Sequence, residues 1–230
     1  MLNKVKITTA FLLSFCFLGF NAHAGLVKID DKSDEKKISE IATGSYDGGN
    51  VGTGADPSGF WGSNLQLVAD GTVSMLFEFI SDHAAYNNAV FAGEGGDIGG
   101  LDNTIQGSFS VLFTGVADDF LPFSFIADCG GFSVSGCTSS KGSVQNGSNS
   151  QGDQGNDVSF FISKKVSNNT NSIYYLFFND GTNDLDFDDM IVRLTVTPAE
   201  PPQEVPEPGA LALLALGMIG FVARKRLIKR

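Results

Sequence analysis

"TVSMLFEFIS", Thr72 to Ser81, places Val73, Met75, Phe77 and Phe79 at alternate positions. A helix would scatter these four side chains around its circumference. An extended chain puts them all on one face, because strand side chains alternate with period two. The stretch therefore reads as a half-buried strand. The same alternation recurs in "GSFSVLFTGV", Gly107 to Val116, with Phe109, Val111 and Phe113 on one side. Five further apolar runs are bounded by turn residues: Asn64 to Ala69, Pro122 to Ala127, Asp157 to Val166, Asn171 to Asp180 and Asp189 to Pro198. Long apolar stripes of helical period are missing, while 28 Gly and 20 Phe are present. Short strands at this spacing predict an all-β domain of seven or eight strands, an antiparallel β-sandwich or jelly-roll-like fold.

The two ends of the chain are built differently. Residues 1–24 combine Lys4 and Lys6, an apolar stretch from Ala10 to Phe20, and the small residues Ala22 and Ala24. That order is a secretory signal, to be cut by signal peptidase after Ala24. At the other end, Ala210 to Val222 is apolar for 13 residues, or 15 with Gly209 and Ala223. As a helix it covers about 22 Å of a hydrocarbon core of about 30 Å, so residues 209–223 make a short membrane helix. Arg224, Lys225, Arg226, Lys229 and Arg230 hold its end on the cytoplasmic side. Residues 198–204 form a Pro and Glu linker, and Pro206 and Pro208 stop a helix from running back into the body.

Val205-Pro206-Glu207-Pro208-Gly209, a short span and then Arg224-Lys225-Arg226 resemble the PEP-CTERM sorting signal, over residues 205–230. The resemblance implies reading by an exosortase, a membrane enzyme of Cys-protease type, with the tail cut near Pro206, Glu207 and Pro208. It also implies a cell-surface or extracellular destination, beside exopolysaccharide and biofilm matrix.

The body, Gly25 to Glu204, holds 25 of the 26 acidic residues and 8 of the 15 basic ones, a net charge of -17. A nucleic-acid partner is excluded, since its binders need clustered Lys and Arg. Residues 25–43 are a charged lead-in, disordered or a short helix, and residues 44–197 are the sandwich. Within it, Gly44 to Gly62 reads as a long Gly-rich loop. Ser139 to Asp157 reads as a polar loop too hydrophilic to be buried. Of three cysteines, Cys16 leaves with the signal. Cys129 and Cys137 remain, and an exported pair at this spacing predicts a disulfide.

The densest chemistry lies in "NDGTNDLDFDDM", Asn179 to Met190. If the piece is extended, Asp184, Asp186 and Asp188 share one face while Leu185 and Phe187 face the core. With Asp180 and Asp189 they offer hard oxygen ligands of the kind Ca²⁺ takes, about six to eight at a time. The spacing is not that of an EF-hand. The alternative is an acidic turn whose carboxylates hold backbone amides. The stretch also resembles a domain-of-unknown-function family of exported bacterial proteins, in which an acidic Asp-x-Asp-Phe-Asn-Asp segment lies between two strands. Ala85-Tyr86-Asn87-Asn88 is similar to an earlier turn of that family, whereas Asp188-Asp189 stands where it often has Asn-Asp. That resemblance implies a β domain binding Ca²⁺ at Asp180, Asp184, Asp186, Asp188 and Asp189.

Catalysis has little to work with. His83 is the one histidine after the signal, no G-x-S-x-G occurs, and no two carboxylates are singled out as a glycosidase pair. The expectation is a non-catalytic surface or matrix protein. The alternative is a carbohydrate-binding or adhesin module, with Tyr46, Phe60 and Trp61 stacking on sugar rings.

Overall fold

A computed structural model describes residues 26–30, 32–42, 56–94, 97–133, 136–151, 157–164, 166–168, 171–181 and 185–199. Among them are 14 strands and a single 3-10 turn, and every strand pairing is antiparallel. The alternating stretch is the heart of the larger sheet. It forms β5 (Gly71–Ser81), which lies between β14 (Met190–Pro198) and β8 (Ser108–Gly115). The sheet continues from β14 through β13 (Asn171–Asn179), β11 (Ser159–Ser163) and β3 (Ser58–Trp61) to β2 (Lys36–Lys37), and β12 (Val166–Asn168) pairs with β13.

A four-stranded sheet faces it, in the order β10 (Gly136–Gln145), β9 (Phe123–Ser133), β6 (Ala89–Glu94) and β7 (Asp97–Asp102). A third, two-stranded ladder joins β1 (Val27–Ile29) to β4 (Leu65–Leu67). One core fills the space between. Val73, Met75 and Phe77 of β5 meet Phe123 and Phe125 of β9, and Phe125 stacks on Phe178 with ring centroids 4.9 Å apart. The sandwich expected from the periodicity is thus the fold, because each alternating run has one apolar face to bury.

Three stretches depart from the sequence reading. The lead-in, expected to be disordered or a short helix, holds as helix only a single short 3-10 turn among its described residues and is tied into the body. Val27 enters the main core, and Ile38, in the 3-10 turn Ile38–Glu40, is fully buried on the outer face of the larger sheet. The Gly-rich loop ends in a strand, β3, whose Gly59 lies so close to β11 that a Cβ there would stand 2.1 Å from the Ile162 carbonyl oxygen. The polar stretch from Ser139 begins inside β10, and Asn146 and Asn149 beyond it are 3% and 2% exposed. Polar residues can be buried when every hydrogen-bonding group finds a partner. Asn146 accepts from the Leu65 N–H at 2.8 Å and donates to the carbonyls of Leu65 and Leu121. Asn149 exchanges hydrogen bonds with the Phe160 backbone and donates to the Ser63 carbonyl.

Tyr174 of β13 makes a pH dependence legible. Its ring is 1% exposed and its hydroxyl donates to the Val27 carbonyl at 2.9 Å. Burial pushes the hydroxyl well above its ordinary value. The neutral form is held in the fold, so this stability is complete below the unfolded value of about 10 and is lost as pH rises through the folded one. Tyr174→Phe should cost about 1 kcal/mol at neutral pH, from the lost hydrogen bond. It should also flatten the alkaline decline of the melting temperature above pH ~10.

Candidate functional site

The acidic stretch connects β13 to β14 at one end of the sandwich. Asp180 follows β13 directly, and Leu185 to Asp189 lead into β14. Leu185 and Phe187 face inward as expected, packing with Trp61, Phe161, Phe177 and Ile191 on the outer face of the larger sheet. The segment is not extended, however. Phe187 adopts a left-handed φ of 58°, which breaks the alternation between Asp186 and Asp188. Asp186 and Asp188 therefore do not share one strand face. Asp186 is half-buried, whereas Asp180, Asp188 and Asp189 are 2%, 5% and 5% exposed. Asp184 lies outside the described residues.

Each buried carboxylate has its own partner. Asp189 Oδ2 accepts the Asp180 N–H at 2.7 Å. Asp180 Oδ2 accepts from Asn88 Nδ2 at 3.2 Å, and the same amide reaches the Asp189 carbonyl at 3.4 Å. Asp188 Oδ2 stands 3.3 Å from Nδ1 of the half-exposed His83, whose backbone N–H donates to the Asp188 carbonyl at 2.9 Å. Asn88 Oδ1 accepts the Asp128 N–H of β9 at 3.2 Å. Since Asn88 directly precedes β6 and Asp128 lies in β9 of the smaller sheet, while Asp180 and Asp189 flank strands of the larger, this is a polar clasp across the two sheets. Asn88 was visible in the sequence only as part of an Asn87-Asn88 pair after an aromatic. Nothing in its local pattern announced a partner 92 residues away.

Among the described residues no three His, Cys, Asp or Glu side chains group as a metal ion would need. Asn179, fully buried and next to Asp180, has an Oδ1 that accepts no hydrogen bond among the described residues.

Cys129 and Cys137 form the expected disulfide, joining β9 to β10 with Cα atoms 5.5 Å apart. Cys129 exchanges two hydrogen bonds with Asn87, N–H to carbonyl and carbonyl to Nδ2. The disulfide arm thus adjoins the clasp through neighbouring asparagines. It closes a loop eight residues long in sequence separation. Its loss should cost about 2–3 kcal/mol by loop-closure entropy. Urea unfolding of the Cys129→Ser, Cys137→Ser double variant would read this directly.

Of the aromatic residues expected to stack on sugar rings, Trp61 is not displayed. Trp61 sits in β3 at 7% exposure, edge-on to Phe187 at 5.8 Å, and its Nε1 donates to Ser159 Oγ. Phe60 is half-buried in the same strand. The apolar cluster beneath the acidic turn has absorbed the indole, so it cannot stack on a sugar. Tyr46 lies outside the described residues, as do the signal, Pro206, Glu207, Pro208 and residues 209–223.

Residues 204–226 match the PEP-CTERM protein-sorting motif. The chain carries a PEP-CTERM tail. It is thereby marked as an exported protein sorted by exosortase, a membrane enzyme. The match bears out the sorting signal read at residues 205–230 and lies wholly in the tail, not in the sandwich. No curated protein and no solved structure matches the chain.

Proposed function

We propose that the PEP-CTERM tail delivers a non-catalytic β-sandwich to the cell surface or extracellular matrix, beside exopolysaccharide. The supporting observation is how the side chains suited to chemistry are used. Asp188 is taken by His83, Asp189 by the Asp180 amide and Asp180 by Asn88, in a network that closes one end of the fold. A catalytic acid or base would need a free path to a substrate proton. In the native host, a tagged chain should be recovered from the matrix fraction. Replacing Pro206, Glu207 and Pro208 with alanine should retain it in the membrane fraction. Equal matrix recovery of both would overturn the sorting role of the tail.

A second reading, that the acidic turn takes up Ca²⁺, rests on the buried Asn179 Oδ1 beside Asp180. Amide and carboxylate oxygens are the ligands Ca²⁺ prefers. Titrating Ca²⁺ into the chelated body should release heat and raise its melting temperature, and Asp186→Ala with Asp188→Ala should abolish both. No heat and no thermal shift at millimolar Ca²⁺ would leave the turn a purely hydrogen-bonded clasp.

A further inference from the structure

Asn146-Gly147 is the one Asn-Gly pair in the chain. The fold uses both members. The Asn146 side-chain amide bridges β4, accepting the Leu65 N–H at 2.8 Å and donating to the Leu65 and Leu121 carbonyls at 2.8 and 2.9 Å. Gly147 follows it in the turn from Gln145 to Ser148, which the Ser148 N–H closes on the Gln145 carbonyl at 2.9 Å. Its φ of 102° lies in the left-handed region that favours glycine, and a Cβ there would stand 3.0 Å from the Phe120 ring.

The same pair carries a reaction of its own. In a chain free to turn, the Gly147 nitrogen attacks Cγ of Asn146, with no Cβ on the glycine to hinder it. The new C–N bond closes a five-membered succinimide, and Nδ2 leaves as ammonia. Water then opens the ring at either carbonyl, giving aspartate or isoaspartate. To attack, the Gly147 amide must give up its proton, and Cγ must rotate onto the nitrogen.

The folded chain opposes both steps. The Gly147 N–H donates to Asn64 Oδ1 at 2.6 Å, which holds the proton on the attacking nitrogen. Asn64 is fully buried, and its own Nδ2 donates to Asp30 Oδ2 at 3.0 Å, which fixes the way its amide points. Cγ of Asn146 is held by the three hydrogen bonds on its amide, and the Asn146 N–H is held by the Phe123 carbonyl at 2.9 Å. At 3% exposure the side chain offers hydroxide and water almost no approach.

We propose that Asn146-Gly147 is a latent deamidation site, kept closed by folding, whose reaction in the opened chain makes unfolding irreversible. Neither product fits the closed site. Aspartate lacks the two amide donors and brings a charge into a buried place. Isoaspartate adds a carbon to the main chain inside a hydrogen-bonded turn. A chain that has opened and reacted cannot rebuild its hold on β4. The lifetime of the exported domain is then set by the fraction of it that is open.

The test incubates the full mature chain, its tail kept soluble by mild detergent, at mildly alkaline pH with and without guanidinium chloride. Residue 146 is read by mass spectrometry of the tryptic peptide between Lys141 and Lys164, with fragment ions separating it from Asn149. Conversion without denaturant should be at least about 100-fold slower than with it, because only the opened fraction reacts. On dilution, the share of chain that recovers the native fluorescence of the buried Trp61 should fall in step with conversion. The same denaturation at mildly acidic pH, where the Gly147 amide keeps its proton, should leave residue 146 and refolding intact. Equal conversion with and without denaturant would overturn the protection by the fold. Full refolding of chains converted at residue 146, or an equal loss of refolding after the acidic incubation, would overturn the irreversible step.

Discussion

Asn146→Ala should destabilise the domain by about 2–3 kcal/mol. Leu65 begins β4, and its N–H and carbonyl both bond to the Asn146 amide, as does the Leu121 carbonyl. Asn146 thus acts as a one-residue strand partner for β4, inside a site that water does not reach. Alanine would leave the buried Leu65 N–H without its partner, at about 1–3 kcal/mol, while the Leu65 and Leu121 carbonyls lose one hydrogen bond each but still accept the N–H groups of Leu121 and Phe123. Asn146→Asp keeps the acceptor but loses the donor, and adds a buried charge, so it should be no milder. Ser148→Ala is the comparison. Its hydroxyl donates to the Gln145 carbonyl in an exposed position, and its loss should change stability by under about 0.5 kcal/mol. Urea unfolding of the three variants gives the ranking. An Asn146→Ala effect as small as that of Ser148→Ala would mean that β4 is held by its ladder to β1 and by packing alone.

Asn146 also shows where sequence reading stops. Val73, Met75 and Phe77 announced β5, and Val111 and Phe113 announced β8, because a period of two is a local property that burial on one face imposes directly. β3, β6, β7 and β10 carry no such pattern. "GCTSSKGSVQ" is a strand because β9 lies beside it, and its polar side chains are tolerated at a sheet edge. Whether an asparagine after such a strand is solvated or buried depends on Leu65 and Leu121, 81 and 25 residues away. The acidic turn was half legible for the same reason. The burial of Leu185 and Phe187 follows from their apolarity. The left-handed Phe187, which takes Asp186 and Asp188 off a shared face, follows from packing against Trp61 and Phe161 that no local pattern encodes. The tail was legible because a processing enzyme and a membrane read it as a linear segment, as does a reader of the sequence.

Asn88→Ala should cost about 3 kcal/mol, since it removes a donor to a buried carboxylate and the acceptor of the Asp128 N–H. The charge-changing variant is more informative. Asn88→Asp sets a carboxylate 3.2 Å from Asp180 Oδ2, where the amide nitrogen now donates. In chelator at neutral pH, like-charge repulsion should make this variant less stable than Asn88→Ala. The order should close as pH falls, beginning above the ordinary carboxylate value of about 4, because two carboxylates this close share a proton that lets one donate to the other. Added Ca²⁺ separates the two readings of the turn. A cation shared by Asp180 and the new carboxylate would lift Asn88→Asp above Asn88→Ala, because an extra anionic ligand strengthens the site that repulsion had weakened. A clasp made of hydrogen bonds alone would leave the order unchanged at millimolar Ca²⁺. Melting temperatures of the two variants, with and without the ion, therefore decide whether this pole of the protein is only a seam between sheets or a binding site for a cation.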